Sequence, residues 1–223
     1  EQGVVWVRTI DDAVQAAIQR HRKLDLQRIE LLSVEDRAQA KRLRATWSSR
    51  KGFLRALFAG GTFCYQSQQI LRDAGLTVYS NAPLESRYKL PGPDRSREHS
   101  LIDLGDDRYT LGRPHPMIDG TLRRQRILTE SQDPAVGLLL LDFILGYNAA
   151  MDPVGDVLDA ILEARSMRQK QGGDLVIVAS ICGTKEDPQD LSLQSKLLQD
   201  AGVHVFNSNA KAASFCGALL KGD

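Results

Sequence analysis

No apolar run in this sequence approaches the ~20 residues that span a bilayer. Residues 1–12, EQGVVWVRTIDD, lack the charged-then-apolar order of a signal peptide. Cysteine is sparse: Cys64, Cys182 and Cys216 are widely spaced, odd in number and form no CxxC pair. They give no disulfide framework and no zinc ligand set, so no metal is expected and a reducing cytoplasm is the expected location. Charge of one sign is lacking too. The 29 Lys and Arg nearly balance the 28 Asp and Glu, for a net charge of +1. A dedicated nucleic-acid binder shows a basic face instead, so neither nucleic acid nor membrane is an expected partner. A Gly-rich dinucleotide fingerprint is also missing. What remains is 223 residues, 42% hydrophobic and 26% charged. This ordinary soluble composition suits one large domain, or one domain plus an extension.

Residues 4–7, VVWV, followed by RTIDDAVQAAI with Thr9 as N-cap and Asp11 and Asp12 in the first turn, predict a strand, a tight turn and a helix. Residues 203–220, VHVFNSNAKAASFCGALL, repeat that order. Residues 1–23 are therefore expected to be the tail of a preceding, similar domain. Residues 24–52 read as a helical basic linker, with basic positions 37, 41, 42, 44, 50 and 51 forming a solvated face or a docking surface. Residues 53–223 form the main body. Strands are expected at FLRALFA, TVYSN, VGLLLLDFILG, DLVIVASICGT and VHVFNSN, with short strands broken by Gly105 in SLIDLGDDRYTLGRPHP. Helices fall between them: FCYQSQQILRDAG stopped by Gly75, GTLRRQRILTESQ, and LSLQSKLLQDAG. A fourth has Val154, Val157, Leu158, Ile161 and Leu162 on one face. Strands alternate with helices, and two strands are apolar on both faces. The fold class is therefore α/β, a flavodoxin-like doubly wound parallel sheet with an N-terminal helical extension.

In such folds ligands bind at the carboxyl ends of the strands. That rule selects Gly60, Gly61 and Thr62; Asp142 and Gly146; Gly183, Thr184, Asp187 and Gln189; and Asn207, Ser208 and Asn209. Helix N-termini expected at Thr62, Thr184 and Asn209 would favour an anionic guest. Each loop also reads as a plain turn and cap.

The stretch YTLGRPHPMIDG sets His115 between two prolines, with Arg113 before it and Asp119 after it. The prolines fix the backbone. Arg113 offers a fork for phosphate or carboxylate, and His115 a proton carrier near neutral pH. The other reading is a rigid loop with a hydrogen-bonding histidine. His204 is expected on a strand, His99 in a polar loop and His21 on a helix surface. Cys64 and Cys216 read as small buried hydrophobes. Cys182, which ends a buried strand beside Gly183, reads the same way, the alternative being a thiol whose pKa is lowered by helix N-termini facing the strand end.

FAGGTFCYQS, HSLIDLGDDRYTLGRPHPMID, LLLLDFILGYNAAMDP and ICGTKEDPQDLSLQSKLLQDAGVHVFNSNAKAA together resemble the C-terminal part of the FdrA proteins, relatives of the succinyl-CoA synthetase α chain and of acyl-CoA synthetases. The resemblance runs from about residue 52 to the end, and residues 1–20 are similar to the end of the preceding domain. It implies a CoA-ligase-type domain, a further CoA-binding-like domain or partner subunit, and an oligomer. In acyl-CoA synthetase relatives a phosphohistidine carries phosphate between an acyl phosphate and a nucleotide. Its loop reads like GHAG, and the counterpart here, CGTKEDPQDLSLQ, has no histidine, so that role is not carried over. The family is also associated with purine (allantoin) breakdown and an oxamate carbamoyltransferase assembly. The resemblance thus implies acyl or carbamoyl transfer with a small anionic substrate, CoA or carbamoyl phosphate, held partly by other domains. Arg113 would clamp the anion, His115 would move a proton, and Asp142 would position His115 or a substrate amide. The alternative is a non-catalytic module that completes a site formed elsewhere.

Overall fold

The computed structural model describes residues 4–27, 29–47 and 52–222. Six strands form one all-parallel sheet: β1 (Phe53–Phe58), β2 (Val78–Ser80), β3 (His99–Asp103), β4 (Val136–Ile144), β5 (Val176–Cys182) and β6 (His204–Phe206), in the spatial order β2-β3-β1-β4-β5-β6. The connecting helices are α3 (Gly61–Asp73), the short α4 (Asp107–Thr110), α5 (Thr121–Ser131), α6 (Gly155–Lys170), α7 (Leu191–Asp200) and α8 (Asn209–Lys221). Two more, α1 (Ile10–His21) and α2 (Val34–Thr46), precede the sheet.

The pleat sorts β4 between two cores. Leu138 and Leu140 pack with Leu54, Ala56 and Phe58 of β1 under α3 and α8. Leu139, Leu141 and Phe143 face the other way, against Ile127 of α5 and Val157, Ala160, Ile161 and Ala164 of α6. Period-two alternation within an unbroken apolar run is what covering on both faces requires. This is the expected flavodoxin-like, doubly wound sheet, with β3 placed between β2 and β1. On α6 the predicted apolar face is one residue too wide: Leu162 is half exposed.

Polar side chains close the amino end of the sheet. Arg55, in the middle of β1, is 2% exposed and donates to Glu130 at 2.8 Å and Asp133 at 3.1 Å. Buried Arg126 joins Glu130 from the same helix. Arg168, also buried, donates to the carbonyl of Ser131, the last residue of α5, and to those of Asp133 and Pro134 just beyond it, where a helix's C-terminal end favours a cation.

The N-terminal part departs from expectation. Residues 4–7 are not a strand and have no sheet partner among the described residues. Thr9 caps α1 as expected, accepting from Asp12 N–H. Ile10, Val14 and Ile18 on α1 are exposed. In the stretch read as a helical linker, α2 begins only at Val34, with a reciprocal capping box between Ser33 and Asp36. Its basic residues are solvated, but Ala40 is fully buried and belongs to the core beneath α8. The end of the linker reading, 48–51, lies outside the described residues. Two further corrections concern the main body. His99 opens β3, its Nδ1 accepting from Leu54 N–H at 3.1 Å, so it is not in a loop. The segment after Gly105 contains the turn of helix α4 and no second strand.

Candidate functional site

The chain leaves β1 through α3 on one face of the sheet, and leaves β3 and β4 through helices on the other. The carboxyl end of β1 is therefore a switch point with β3 and β4 on its two sides. There α3 begins at Gly61, with Gly60 as an extended N-cap and no side chain capping the helix. Its first-turn N–H groups are left for solvent or a guest, and Thr62 is exposed beside them.

Asp103, the last residue of β3, reaches this helix end. It is 8% exposed, and its backbone is held both ways by buried Asn81, at 2.9 Å for each bond. Its Oδ1 accepts from Gly105 N–H at 2.9 Å. Its Oδ2 stands 3.1 Å from the point where a Cβ on Gly61 would sit. Burial raises the carboxyl's pKa, the Gly105 bond opposes this, Asp106 adds to the rise and His115 lowers it.

His115 faces the same corner. Its Nδ1 accepts from Met117 N–H at 3.2 Å, so the neutral ring carries its proton on Nε2. That Nε2 lies 2.8 Å from where a Cβ on Gly105 would sit. Only glycine leaves room there, because the same point is 2.7 Å from the Ala59 carbonyl. The RPHP loop is thus a rigid frame that delivers an N–H donor to the rim. Asp103, the acid beside it, was missed in the sequence: LIDLG reads as a strand end, and only its acidic terminus gave a signal.

Asp142 is in a different position from the one expected. It is fully buried, and its Oδ1 accepts from Ala59 N–H and from Arg123 Nη2, each at 2.8 Å. Arg123 Nη1 also donates to the Asp142 carbonyl at 2.5 Å. Asp142 braces the β1–β4 junction and does not hold His115. Burial raises its pKa and Arg123 opposes the rise. Among the described residues its Oδ2 is without a partner, as is Oγ of Ser180, its register neighbour on β5. Arg113 is exposed and lines a cavity of about 230 Å³ with Pro114, Asp119, Thr121, Leu122 and Gln125, on the α5 side of the loop.

The other candidate residues separate into different roles. Thr184 starts no helix: α7 begins at Leu191, capped by Asp190 at φ 51°. Thr184 N–H is bonded to Asp187 at 2.6 Å, which closes the turn after Gly183. Gln189 is buried and staples the loop after β4, accepting from Gly146 N–H at 3.0 Å and donating to the Gly146 and Ala150 carbonyls. Asn209 is buried and directed into α3, meeting Ser67, Gln66 and the Phe63 carbonyl. Ser208 caps α8, and Asn207 is exposed beside it. The structure therefore gathers Gly60, Gly61, Asp103, Gly105 and His115 at one corner. The loop after β5 closes its own turn through Asp187 and braces the loop after β4 through Gln189, and Asn209 at the start of α8 ties that helix to α3.

Cys182 is exposed, and its thiol pKa is raised, first by burial of the sulfur's surroundings and then by Asp187 and Asp142. Cys182 is therefore not the small buried hydrophobe expected, and the alternative of a lowered thiol pKa is corrected as well. Cys64 and Cys216 are buried as expected, and burial pushes Cys64 up to about 12. Among the described residues no group of His, Cys, Asp and Glu is arranged to hold a metal ion, and no helix is long and apolar enough to cross a membrane.

Comparison with known proteins identifies the family. The CoA-ligase family model matches residues 57–219. Uncharacterized protein YahF of Escherichia coli (strain K12) is 34% identical over 213 residues, covering 94% of this chain. The chain spans 40% of YahF's length. Among solved structures, PH0766 from Pyrococcus horikoshii OT3 superposes with a TM-score of 0.53 at 12% identity, over 94% of this chain and 43% of its own. The dinucleotide-forming acetyl-coenzyme A synthetase 1 of Ca. Korarchaeum cryptofilum, in complex with phosphate and ADP, gives 0.55 at 18% identity, over 95% of this chain and 44% of its own. The matched span takes in most of the chain, and the chain belongs to the CoA-ligase family.

Proposed function

We propose that this chain supplies the anion-handling domain of a larger acyl-CoA-synthetase-type enzyme, with the α3 N-terminus as the seat for the phosphate of an acyl or carbamoyl phosphate. The observation that carries this reading is the uncapped start of a 13-residue helix with the Nε2 edge of His115 aimed at the same corner. Backbone N–H groups and the helix dipole favour the phosphate. His115 donates to the oxygen on which charge develops, and such a donor is worth about 3–4 kcal/mol in an oxyanion-type site. Exposed Arg113, carried on the same loop as His115, would add positive charge for an anionic guest. A structural neighbour was solved with phosphate and ADP, which agrees with this class of guest.

The finer reading, carbamoyl transfer of the oxamate carbamoyltransferase kind within purine breakdown, draws on the FdrA resemblance. It agrees with a β5 loop that carries no histidine. A cytoplasmic enzyme that binds CoA through another domain or subunit fits the share of YahF's length that this chain spans.

A second reading is favoured by exposed Leu111, Ile118, Tyr147 and Met151 in the loops at the carboxyl edge. On that reading the domain binds no substrate alone and only completes a site beneath a partner domain. The test is to add acetyl phosphate, carbamoyl phosphate and CoA separately and follow the melting temperature. Stabilisation by the acyl phosphates supports the first reading, and a response to none supports the second. Unchanged turnover of the full assembly with His115→Ala would remove His115 from the chemistry.

A further inference from the structure

We propose that Asp103 is the proton-exchanging group of this rim: an anion entering the first turn of α3 is held with a proton placed on Asp103 Oδ2 between carboxylate and guest. This deepens the anion-binding reading above and rests on it.

The argument begins with an electrostatic conflict. The α3 N-terminus attracts an anion, yet the nearest side-chain atom to Gly61 in that turn is a carboxylate oxygen, 3.1 Å from the position of a Cβ. Asp103 is 8% exposed and its backbone is fixed by two bonds to Asn81, so it has little freedom to swing away. Oδ1 is committed to Gly105 N–H. Oδ2 has no hydrogen-bond partner among the described residues and is the oxygen that meets the guest. Two anionic oxygens in contact repel unless a proton lies between them. With the proton, one of them becomes a donor and the contact becomes a charge-assisted hydrogen bond.

The step balances simply. Solvent supplies one proton, an O–H bond forms at Oδ2, and that hydroxyl donates to the guest's oxygen. When the guest leaves, the proton returns to water. The surroundings favour this exchange at Asp103 in particular. From α3 it is faced by Tyr65 and by the Cys64 thiol, which is uncharged because burial pushes it up to about 12. From its own loop it is faced by Asp106, which is paired with Arg108 at 3.0 Å, and by His115. From β4 it is faced by Asp142, which Arg123 holds. Burial and Asp106 already lift Asp103 above its ordinary value, and an arriving anion adds to that lift. Asp142 has no such freedom, since its free oxygen is sealed inside the sheet.

Sulfate is the suitable probe, because it takes up no proton itself near neutral pH. Calorimetric titration of the chain with sulfate at pH 7, in buffers of different ionisation heat, counts the protons taken up. We expect about one proton per sulfate, and affinity falling up to about tenfold per pH unit above Asp103's raised value. Asp103→Asn keeps an acceptor for Gly105, and should bind sulfate with no proton uptake and little pH dependence. Sulfate binding to wild type without proton uptake overturns the inference and leaves the anion site standing. Uptake that persists in Asp103→Asn and disappears in His115→Gln assigns the proton to the ring and also overturns it. Binding by Asp103→Asn where wild type binds none at pH 8 supports it. Failure of both proteins to bind sulfate from pH 5 to 8 overturns the anion site and this inference together. The wild-type count stands by itself if a variant fails to fold.

Discussion

Arg123 on α5 and Asp142 on β4 form an ion pair 2.8 Å long with both side chains buried, and the same guanidinium also takes the aspartate's own carbonyl. The pair joins the covering helix to the sheet at the switch point. It holds Asp142 fully buried in the sheet, while Asp103 stands at the rim with His115 among the groups that influence its titration.

Removing the cation tests this bracing role. Arg123→Met leaves a buried carboxylate unpaired and should cost about 3–5 kcal/mol in urea unfolding at pH 7. The pH dependence has a definite sign. Asp142 is raised above its ordinary 3.8 when folded, so the folded state binds the proton more tightly than the unfolded chain. The penalty of its charged form is absent below the unfolded value and grows as pH rises through the folded one. The variant's deficit should therefore be smaller at pH 5 than at pH 8; an equal deficit would contradict this account.

Gly105→Ala should damage the rim more than the fold. The added methyl meets the Ala59 carbonyl at 2.7 Å and displaces His115 Nε2. A stability loss of about 1–3 kcal/mol is expected from overpacking. Anion-induced stabilisation should be lost while the far-ultraviolet circular dichroism remains unchanged.

The floor of the sheet should show the opposite. Glu130→Ala strips a carboxylate from two buried arginines, Arg55 and Arg126, and should cost about 3–5 kcal/mol. Provided the variant remains folded, anion binding at the opposite edge should be unaltered, as measured by calorimetry below its melting transition.

Thiol labelling provides an independent check. Of the three cysteines only Cys182 is exposed, so one thiol should react with a disulfide reagent in the native state and three in denaturant. Its raised pKa makes that reaction slower than for a free cysteine at pH 7. Asp187→Asn removes a cause of the rise and should speed it.

The sheet was legible because the physics that builds it is local. The LLLL run of β4 could be buried only by covering on both sides, and each strand ended at a Gly-rich or polar turn. The misreadings have a common cause, since each depended on a neighbour distant in sequence. VEDRAQAKRLRAT looked solvated, yet the small side chain of Ala40 lets α2 pack close under α8. CGTKEDPQD resembled a strand-to-helix turn, but Asp190 took the capping role and moved the helix start to Leu191. VVWV carried strand composition and met no strand to pair with. Asp103 and His115 come together only because β3 inserts beside β1 and the proline-framed loop turns back over Gly105. No local pattern encodes that encounter.

The charged knot around Arg55 has a consequence for how such a scaffold changes over time. Three arginines, two carboxylates and a set of carbonyls at one end of the sheet admit few substitutions singly, because each loss strands the others. The opposite end is joined by single side-chain staples between neighbouring loops, such as Gln189 to Gly146 and Asn81 to Asp103. Exchanging a rim loop therefore disturbs a few such staples, whereas a change in the knot leaves buried charge without its counter-ion.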